Sequence, residues 1–322
     1  MANIRWGVLG CANTARKRAI PAMLQAPGVD LVGVASRTLE KAESFRALFH
    51  LSRAYGSYEE MLADREIRAV YIPLPNGLHA EWTIKAAEHG KHVLCEKPFA
   101  SNGAEAARVA KVVSECRVFA SEAFMWRMHS QHARAIEAIR SGRIGRVRLV
   151  RAAFTFMMPR APNVRLVPGL AGGCVMDVGC YPVSAARFYF NSEPTRVYAR
   201  ADVDPEFGVD MRASGVLEFS TGRALIDCGF DLPYRTQLEI AGEKGSICIP
   251  KPWQPDPEAL IHINDKTEQV PAENQYKRQF EHFSDCVMKR IPPRYGTEDA
   301  ILQMRVIDAI VRSVKSGQPE PV

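Results

Sequence analysis

The chain of 322 residues is longer than a single hydrophobic core usually grows, so two domains are expected. Hydrophobic content of 47% and charged content of 24% are those of an ordinary globular protein, and no apolar run reaches the length of a membrane span. The net charge of +6 divides evenly, 16 basic against 13 acidic residues over 1–125 and 26 against 23 afterwards, with no basic run or aromatic-interleaved stripe; nucleic acid and membrane are not expected partners, while attraction for a phosphorylated ligand is allowed.

The chain opens Met1-Ala2-Asn3-Ile4-Arg5-Trp6-Gly7, directly into a strand pattern with no charged leader or cleavage site, and a cytoplasmic address is expected. Strands are expected at 4–9, 29–35, 69–72, 92–95 and 118–120, with helices at roughly 14–26, 39–49, 58–63, 79–90 and 102–115. That alternation predicts an α/β Rossmann domain over 1–122. Afterwards the order changes. A helix near 131–141 and a strand at 146–156 are followed by a helix beginning near Val178. Alternating segments then run at 195–203, 209–219, 223–230, 235–241, 245–249 and 260–264, and helices near 275–289 and 298–315 precede a Gly-Gln-Pro-Glu-Pro tail expected to be frayed. The expectation for 123–322 is an α+β domain with a large, mainly antiparallel open sheet, to which the resemblance described below adds substrate binding and oligomerisation. Eight scattered cysteines, without Cys-x-x-Cys spacing, read as free thiols in apolar segments, and no metal site is expected.

The first strand leads into Gly10-Cys11-Ala12-Asn13-Thr14-Ala15, a Gly-x-Gly-x-x-Gly/Ala turn with alanine in the second and third places. In the dinucleotide fold this turn places backbone amides and a helix N-terminus on the pyrophosphate. Ala12 departs from the pattern, and a purely structural turn is the alternative. The second strand ends Ala35-Ser36-Arg37-Thr38, with Lys41 one turn on and no acid at the tip. NAD enzymes usually carry Asp or Glu there for the ribose hydroxyls, whereas Ser36, Arg37 and Lys41 suit a 2'-phosphate, so NADP(H) is the expected cofactor. Helix capping by Ser36 or Thr38 with a solvated Arg37 is the bland alternative.

Two further strand ends carry polar residues to the ligand side of the sheet. Pro73-Leu74-Pro75-Asn76-Gly77-Leu78-His79 is a stiff loop in which Asn76 can cap the next helix, and His79 is either a surface histidine or part of the site. One strand over, Glu96-Lys97-Pro98 puts an ammonium on a proline-stiffened corner; a solvated Lys-Glu pair is the alternative. Tyr58 can approach the adenine side or be an ordinary surface tyrosine. Trp126-Arg127 can offer an aromatic wall and a guanidinium, or simply pack. Arg165, in a loop before Gly172-Gly173, can reach substrate or cofactor phosphates, or stay solvated.

Together, Gly10-x-Ala12-x-x-Ala15, Pro73-Leu74-Pro75-Asn76-x-x-His79 and Glu96-Lys97-Pro98 resemble the glucose-fructose oxidoreductase, inositol dehydrogenase and rhizopine-catabolism (Gfo/Idh/MocA) family over the whole chain. Ala12, Ala123-Phe124-Met125-Trp126-Arg127 and Gly172-Gly173-x-x-x-Asp177-Val178-Gly179-Cys180-Tyr181-Pro182 resemble its branch of NADP-dependent D-xylose dehydrogenase, dimeric dihydrodiol dehydrogenase and sugar-nucleotide 3-ketoreductases. The resemblance implies an NADP(H)-dependent oxidoreductase acting on a CH-OH group of a sugar or polyol, and a homodimer or tetramer built through the C-terminal sheet. Sugar-nucleotide 3-ketoreductase, trans-dihydrodiol dehydrogenase and a non-catalytic NADP-binding sensor are the alternatives. It also implies roles: Lys97 beside the nicotinamide, with Asp177 and Tyr181 across the substrate. Tyr181 or Lys97 gives the proton, and Asp177 orients a substrate hydroxyl or Lys97. The spacing of four puts Asp177 and Tyr181 on one side of a helix start, with Gly172-Gly173 giving the chain close access to the ligand; a helix N-cap with a packed aromatic is the alternative. The cofactor is expected on Gly10 to Ala15, Ser36, Arg37, Lys41, Tyr58, Pro73, Leu74, Asn76, His79, Glu96, Lys97, Trp126 and Arg127, and the substrate on Lys97, Arg165, Asp177 and Tyr181.

Overall fold

Parallel strands covered on both faces need near-continuous apolar runs, and the runs of the first part of the chain form such a sheet. The computed structural model describes residues 3–255, 259–271 and 273–322. Strands β1 (Ile4–Leu9), β2 (Val29–Ala35), β3 (Arg53–Tyr55), β4 (Ala69–Ile72), β5 (His92–Cys95) and β6 (Ala120–Glu122) lie in the order β3-β2-β1-β4-β5-β6, all parallel. The order reverses at β1, which opens a crevice at the strands' C-terminal ends. β3 has only three residues and no periodicity to announce it. It is held close to β2 by Gly33, where a Cβ would lie 2.5 Å from the Arg53 carbonyl oxygen.

The connecting helices are α1 (Ile20–Met23), entered through a π-helical turn Ala15–Ala19, α2 (Leu39–Phe49), α3 (Tyr58–Ala63), α4 (His79–Glu88) and α5 (Gly103–Glu115). Thr38, Ser57 and Asn102 cap α2, α3 and α5 by accepting from backbone N–H groups three residues on. α8 (Gln275–Lys289), far down the chain, also belongs here. Its Phe280 and Phe283 pack against the fully buried Trp6 at ring distances of 5.5 and 5.6 Å, and Ser284 accepts the Trp6 indole hydrogen at 3.0 Å.

Two compact units result: the chain up to Met125 with Asn274–Ile301, and Trp126–Glu273 with Leu302–Val322. Where the sequence suggests one cut at 122/123, each unit is built from two stretches of chain, and α8 lies in the stretch that returns to the first. An amphipathic pattern marks a helix with one apolar face without saying which sheet that face covers.

The second unit holds α6 (Ser130–Arg140), β7 (Val147–Met157), a π-helical turn Val175–Gly179 leading into α7 (Cys180–Phe190), and then β8 (Arg196–Val203), β9 (Asp210–Phe219), β10 (Gly222–Gly229), β11 (Asp231–Gly242), β12 (Ser246–Ile249), β13 (Ala259–Ile263) and β14 (Lys266–Val270). α9 (Thr297–Ser316) and β15 (Glu320–Pro321) end the chain. The nine strands lie in the order β14-β13-β12-β11-β7-β10-β9-β8-β15, with β7 and β10 parallel and the other neighbours antiparallel. Alternation gives the sheet two unlike faces. One is apolar, with Val150, Val197, Leu217, Ala224, Leu238 and Ile247 buried. On the other, Tyr198, Val216, Leu225, Arg151, Glu239 and Cys248 stand side by side in register.

The tail is not frayed as expected. Glu320 pairs with Val197, Ser313 Oγ donates to the Gln318 carbonyl at 2.6 Å, and Ser313 also accepts from the Ala199 backbone at 2.9 Å. Two residues of strand are too short to show a period, and these ties are made outside the tail itself.

Candidate active site

In the first unit the β1 turn is a cradle that only glycine fits. Gly10 has φ +126°, and a Cβ there would meet Leu74 Cδ2 at 2.8 Å. Ala12 stands where the general dinucleotide pattern has glycine, and its carbonyl accepts from Arg16 N at 3.0 Å, closing the first turn of the following helix. Asn13 is exposed, Thr14 half-buried, and Ala15 fully buried, where a small residue lets the helix approach the sheet.

The β2 tip adjoins this turn. Cys11 Sγ lies 3.7 Å from the Lys41 carbonyl, and burial pushes its thiol pKa up while a bond to Ser36 and the Lys41 charge oppose that. Thr38, not Ser36, caps α2, and Ser36 is buried. Arg37 and Lys41 are exposed, and the side chains of both make no hydrogen bond or ion pair to any described residue. Tyr58 is half-buried, its hydroxyl pKa raised by burial and lowered by the Arg37 charge; its ring meets Trp82 edge-on at 4.8 Å. Cys11, Ser36, Arg37, Lys41 and Tyr58, scattered in sequence, are thus gathered at one edge of the crevice. A turn closed by glycine, two unpaired cations and no carboxylate at the β2 tip fit a dinucleotide carrying a 2'-phosphate.

The loop after β4 differs from expectation in two respects. Asn76 starts a 3-10 turn, Asn76–Leu78, so Leu78 occupies the N-cap position of α4 and no side chain caps it. His79 is not a surface ligand group. It is fully buried, with Nδ1 2.6 Å from the Pro98 carbonyl oxygen and Nε2 2.7 Å from that of Leu74. Pro73 and Leu74 line the floor under Gly10.

Glu96 and Lys97 are not a solvated pair. Glu96 is 9% exposed, accepts from the Tyr71 hydroxyl at 2.5 Å and from the Lys97 backbone at 3.3 Å, and its charge helps burial to push the Tyr276 hydroxyl pKa up. The corner after Lys97 is fastened by Phe99 N donating to Glu122 Oε1 at 3.0 Å. Lys97 is half-buried, and the Lys97–Pro98 peptide is cis.

In the second unit, Asp177 and Tyr181 come together with Arg165. Arg165 Nε donates to Asp177 Oδ2 at 2.6 Å, and the charges of Asp177 and Tyr181 both raise its pKa. The terminal amino groups of Arg165 have no hydrogen-bond partner among the described residues. Asp177 lies inside the π-helical turn and caps nothing. Tyr181, in the first turn of α7, is 5% exposed and walled by Phe154 and Trp253 at ring distances of 5.2 and 5.5 Å.

Gly172 and Gly173 act on protein, not ligand. A Cβ at Gly172 would meet the Arg165 carbonyl oxygen at 2.5 Å, and one at Gly173 the Asp210 carboxylate at 2.1 Å. Gly172 lets the Arg165 turn pack directly on the segment leading to Asp177, and Gly173 lets that segment approach Asp210. Asp210 in turn accepts from Val175 N at 2.6 Å and fixes the start of the helix. Neither Asp210 nor the walls Phe154 and Trp253 carried a sequence signal, because their contacts are made across the sheet.

Trp126 does not form a ligand wall. It is fully buried, with rings of His132, Phe188 and Trp253 at 4.6, 5.3 and 5.5 Å. Arg127 is buried as well and donates through Nη2 to Ser184 Oγ at 2.8 Å. Among the described residues, no cluster of three His, Cys, Asp or Glu is placed to hold a metal ion, and no helix is long and apolar enough to cross a membrane.

Known proteins resemble both units. Residues 4–124 match the model of an oxidoreductase family with an NAD-binding Rossmann fold, and residues 132–248 that of the GFO/IDH/MocA C-terminal domain. The chain is 40% identical to D-xylose 1-dehydrogenase (NADP(+)) 2 of Haloferax volcanii, covering 97% of this chain and 98% of that one. A crystal structure of a 3-ketoreductase from Actinomadura kijaniata in complex with NADP and TDP-benzene has a TM-score of 0.91 at 30% identity, covering 97% and 98% of the two chains. An aldose-aldose oxidoreductase from Caulobacter crescentus, complexed with glycerol, has a TM-score of 0.93 at 25% identity, covering 99% and 100%. With a phosphate-cradling turn in the first unit, a carboxylate and a phenol held together in the second and matches across both, the chain belongs to the GFO/IDH/MocA family of oxidoreductases.

Proposed function

We propose that the protein is an NADP(H)-dependent dehydrogenase or reductase acting on a secondary alcohol, ketone or hemiacetal carbon of a sugar or sugar-like polyol. The observation that carries this is Tyr181, a phenol enclosed by Phe154 and Trp253 and set beside a carboxylate that Arg165 holds in place. When bound, the nicotinamide gives or takes the hydride, and the chain must handle the proton on the carbonyl oxygen. Tyr181 is assigned to donate it in reduction. Lys97 is assigned either to assist by favouring ionisation of the phenol or to give the proton itself, and Asp177 to orient a substrate hydroxyl. Arg165 reaches the substrate through its free amino groups, while Arg37, Lys41 and Ser36 take the 2'-phosphate.

The test is nicotinamide absorbance with NADP and NAD over aldoses, inositols, anhydro-sugars, a dihydrodiol and a keto-sugar nucleotide. NADP is expected to outperform NAD. Arg37→Ala should weaken NADP by about ten- to a hundredfold, the worth of a charge-assisted phosphate contact, and leave NAD nearly unchanged. Equal use of NAD and NADP by the wild type sinks the cofactor assignment. Lys97→Ala and Tyr181→Phe should keep NADPH binding and lose turnover. A homodimer in the cytoplasm completes the proposal. The open face of the second unit's sheet, a depression of about 870 Å³ that includes Tyr198, Val216 and Leu225, is the surface assigned to the second copy, and sedimentation of the purified protein tests it.

A further inference from the structure

Both ring nitrogens of His79 face acceptors. Nδ1 lies 2.6 Å from the Pro98 carbonyl oxygen and Nε2 2.7 Å from the Leu74 carbonyl oxygen, in a site with no exposure. Carbonyl oxygens accept only, and a neutral imidazole has a single N–H. The neutral ring therefore satisfies one carbonyl and turns a lone pair on the other, whereas the imidazolium donates to both. Burial and the Lys97 charge push the His79 pKa down to about 4, against the pull of the two carbonyls. Near neutral pH the free protein thus holds one tie and lacks the other.

The two carbonyls belong to the two loops that frame the cofactor crevice. Leu74 packs its side chain against Gly10, where a Cβ would lie 2.8 Å from Cδ2, and Pro98 directly follows Lys97. We propose that His79 takes up a proton when the dinucleotide binds, and that the resulting imidazolium ties the Leu74 loop to the Lys97 corner, making His79 a positioning residue. This rests on the dinucleotide reading above. A pyrophosphate brings negative charge to the Gly10 turn, and negative charge favours the charged ring.

The other ionisable groups on these strands are in place before the dinucleotide binds, so none of them supplies the added charge. Lys97 opposes it. Cys95 on β5 has its thiol pKa pushed well up by burial and stays neutral. Glu96 is engaged with the Tyr71 hydroxyl and the Lys97 backbone, and Glu122 with the Phe99 backbone. Because the complex binds the proton more tightly than the free protein, NADPH affinity must rise as pH falls, over the window from the bound-state value down to about 4.

Calorimetry of NADPH binding to the full chain at pH 7, in two buffers of different ionisation enthalpy, reads the proton directly. Wild type should take up about half a proton or more per site beyond His79→Gln, whose amide cannot titrate. The difference isolates His79, because the 2'-phosphate and its cations are common to both proteins. NADPH Kd should fall by about three- to tenfold per unit drop in pH in wild type relative to the variant. Ring 15N spectra of the unmodified protein give the same answer should His79→Gln not fold: one protonated His79 nitrogen in the free protein and two in the complex. Equal proton uptake in both proteins, or an unchanged ring on binding, overturns the proposal. Wild type that binds and turns over NADPH without that difference refutes the His79 role alone; wild type that binds no NADPH refutes the cofactor reading as well.

Discussion

Arg165 and Asp177 divide the work of holding a charge in a nearly closed place. Asp177 is 9% exposed and Arg165 38%, so the guanidinium keeps one edge in solvent while its Nε neutralises the carboxylate. Deleting one partner of such a pair leaves the other charge uncompensated, at several kcal/mol when both are buried and about 1–3 kcal/mol with one side open. Arg165→Gln should therefore lower kcat by about ten- to a hundredfold, following the lower part of that range. The low-pH limb of the kcat profile should move to higher pH, since the carboxylate then lacks its opposite charge, and Arg165→Lys should restore part of both effects. A substitution that only loosened the fold would lower kcat without moving the limb. Lys97 and the Gly10 turn were readable in the sequence because they sit at strand ends, where local patterns decide position. The Arg165 partnership was not, since nothing local says which acid a loop arginine will find.

Among the elements, long apolar or periodic runs were placed well from sequence. β1, β2, β4 and β5 appear at the residues expected, and α2, α3, α8 and α9 to within a residue or so. The short elements β3, β14 and β15 were missed, because segments of two to five residues with one or no buried faces carry too little pattern. α8 shows what pattern leaves out: its amphipathic stripe was visible, its destination was not. Phe280 on that helix is fully buried and touches Trp6 and Tyr71 edge-on, at 5.5 and 5.3 Å. Phe280→Ala should cost about 3–5 kcal/mol in urea unfolding. It should also loosen the Glu96-Lys97 corner at the end of β5, because Tyr71 is the residue that hydrogen-bonds Glu96. A loss below about 1 kcal/mol would mean that α8 is not anchored through Phe280.

For the molecule as a whole, buried neutral histidines set the acid side of stability. Burial pushes the His79 pKa to about 4 and that of His132 to about 3; His132 bonds the Tyr189 hydroxyl and the Pro252 carbonyl. Both values lie below the unfolded value of about 6.5, so the unfolded chain binds more protons as pH falls and the native state loses ground. Between pH 7.5 and pH 5 each should remove about 2 kcal/mol from the free protein, read as a fall in Tm or in urea midpoint. His132→Asn should flatten part of that slope, and saturating NADPH should remove the share due to His79. A Tm that stays level down to pH 5 would show that these rings are charged in the native state.

The return of α8 to the first unit has a consequence during synthesis. All six parallel strands have been synthesised once Glu122 is made, yet the helix that covers Trp6 follows more than a hundred residues later, beginning at Gln275. At about 5–20 residues per second that interval is on the order of ten seconds. Throughout it the nascent sheet presents an uncovered tryptophan and the apolar bed of α8, while the second unit is still being made. The first domain of this enzyme is thus begun first but closed only after most of the second has been made, and for that interval the nascent chain is a natural client for a chaperone.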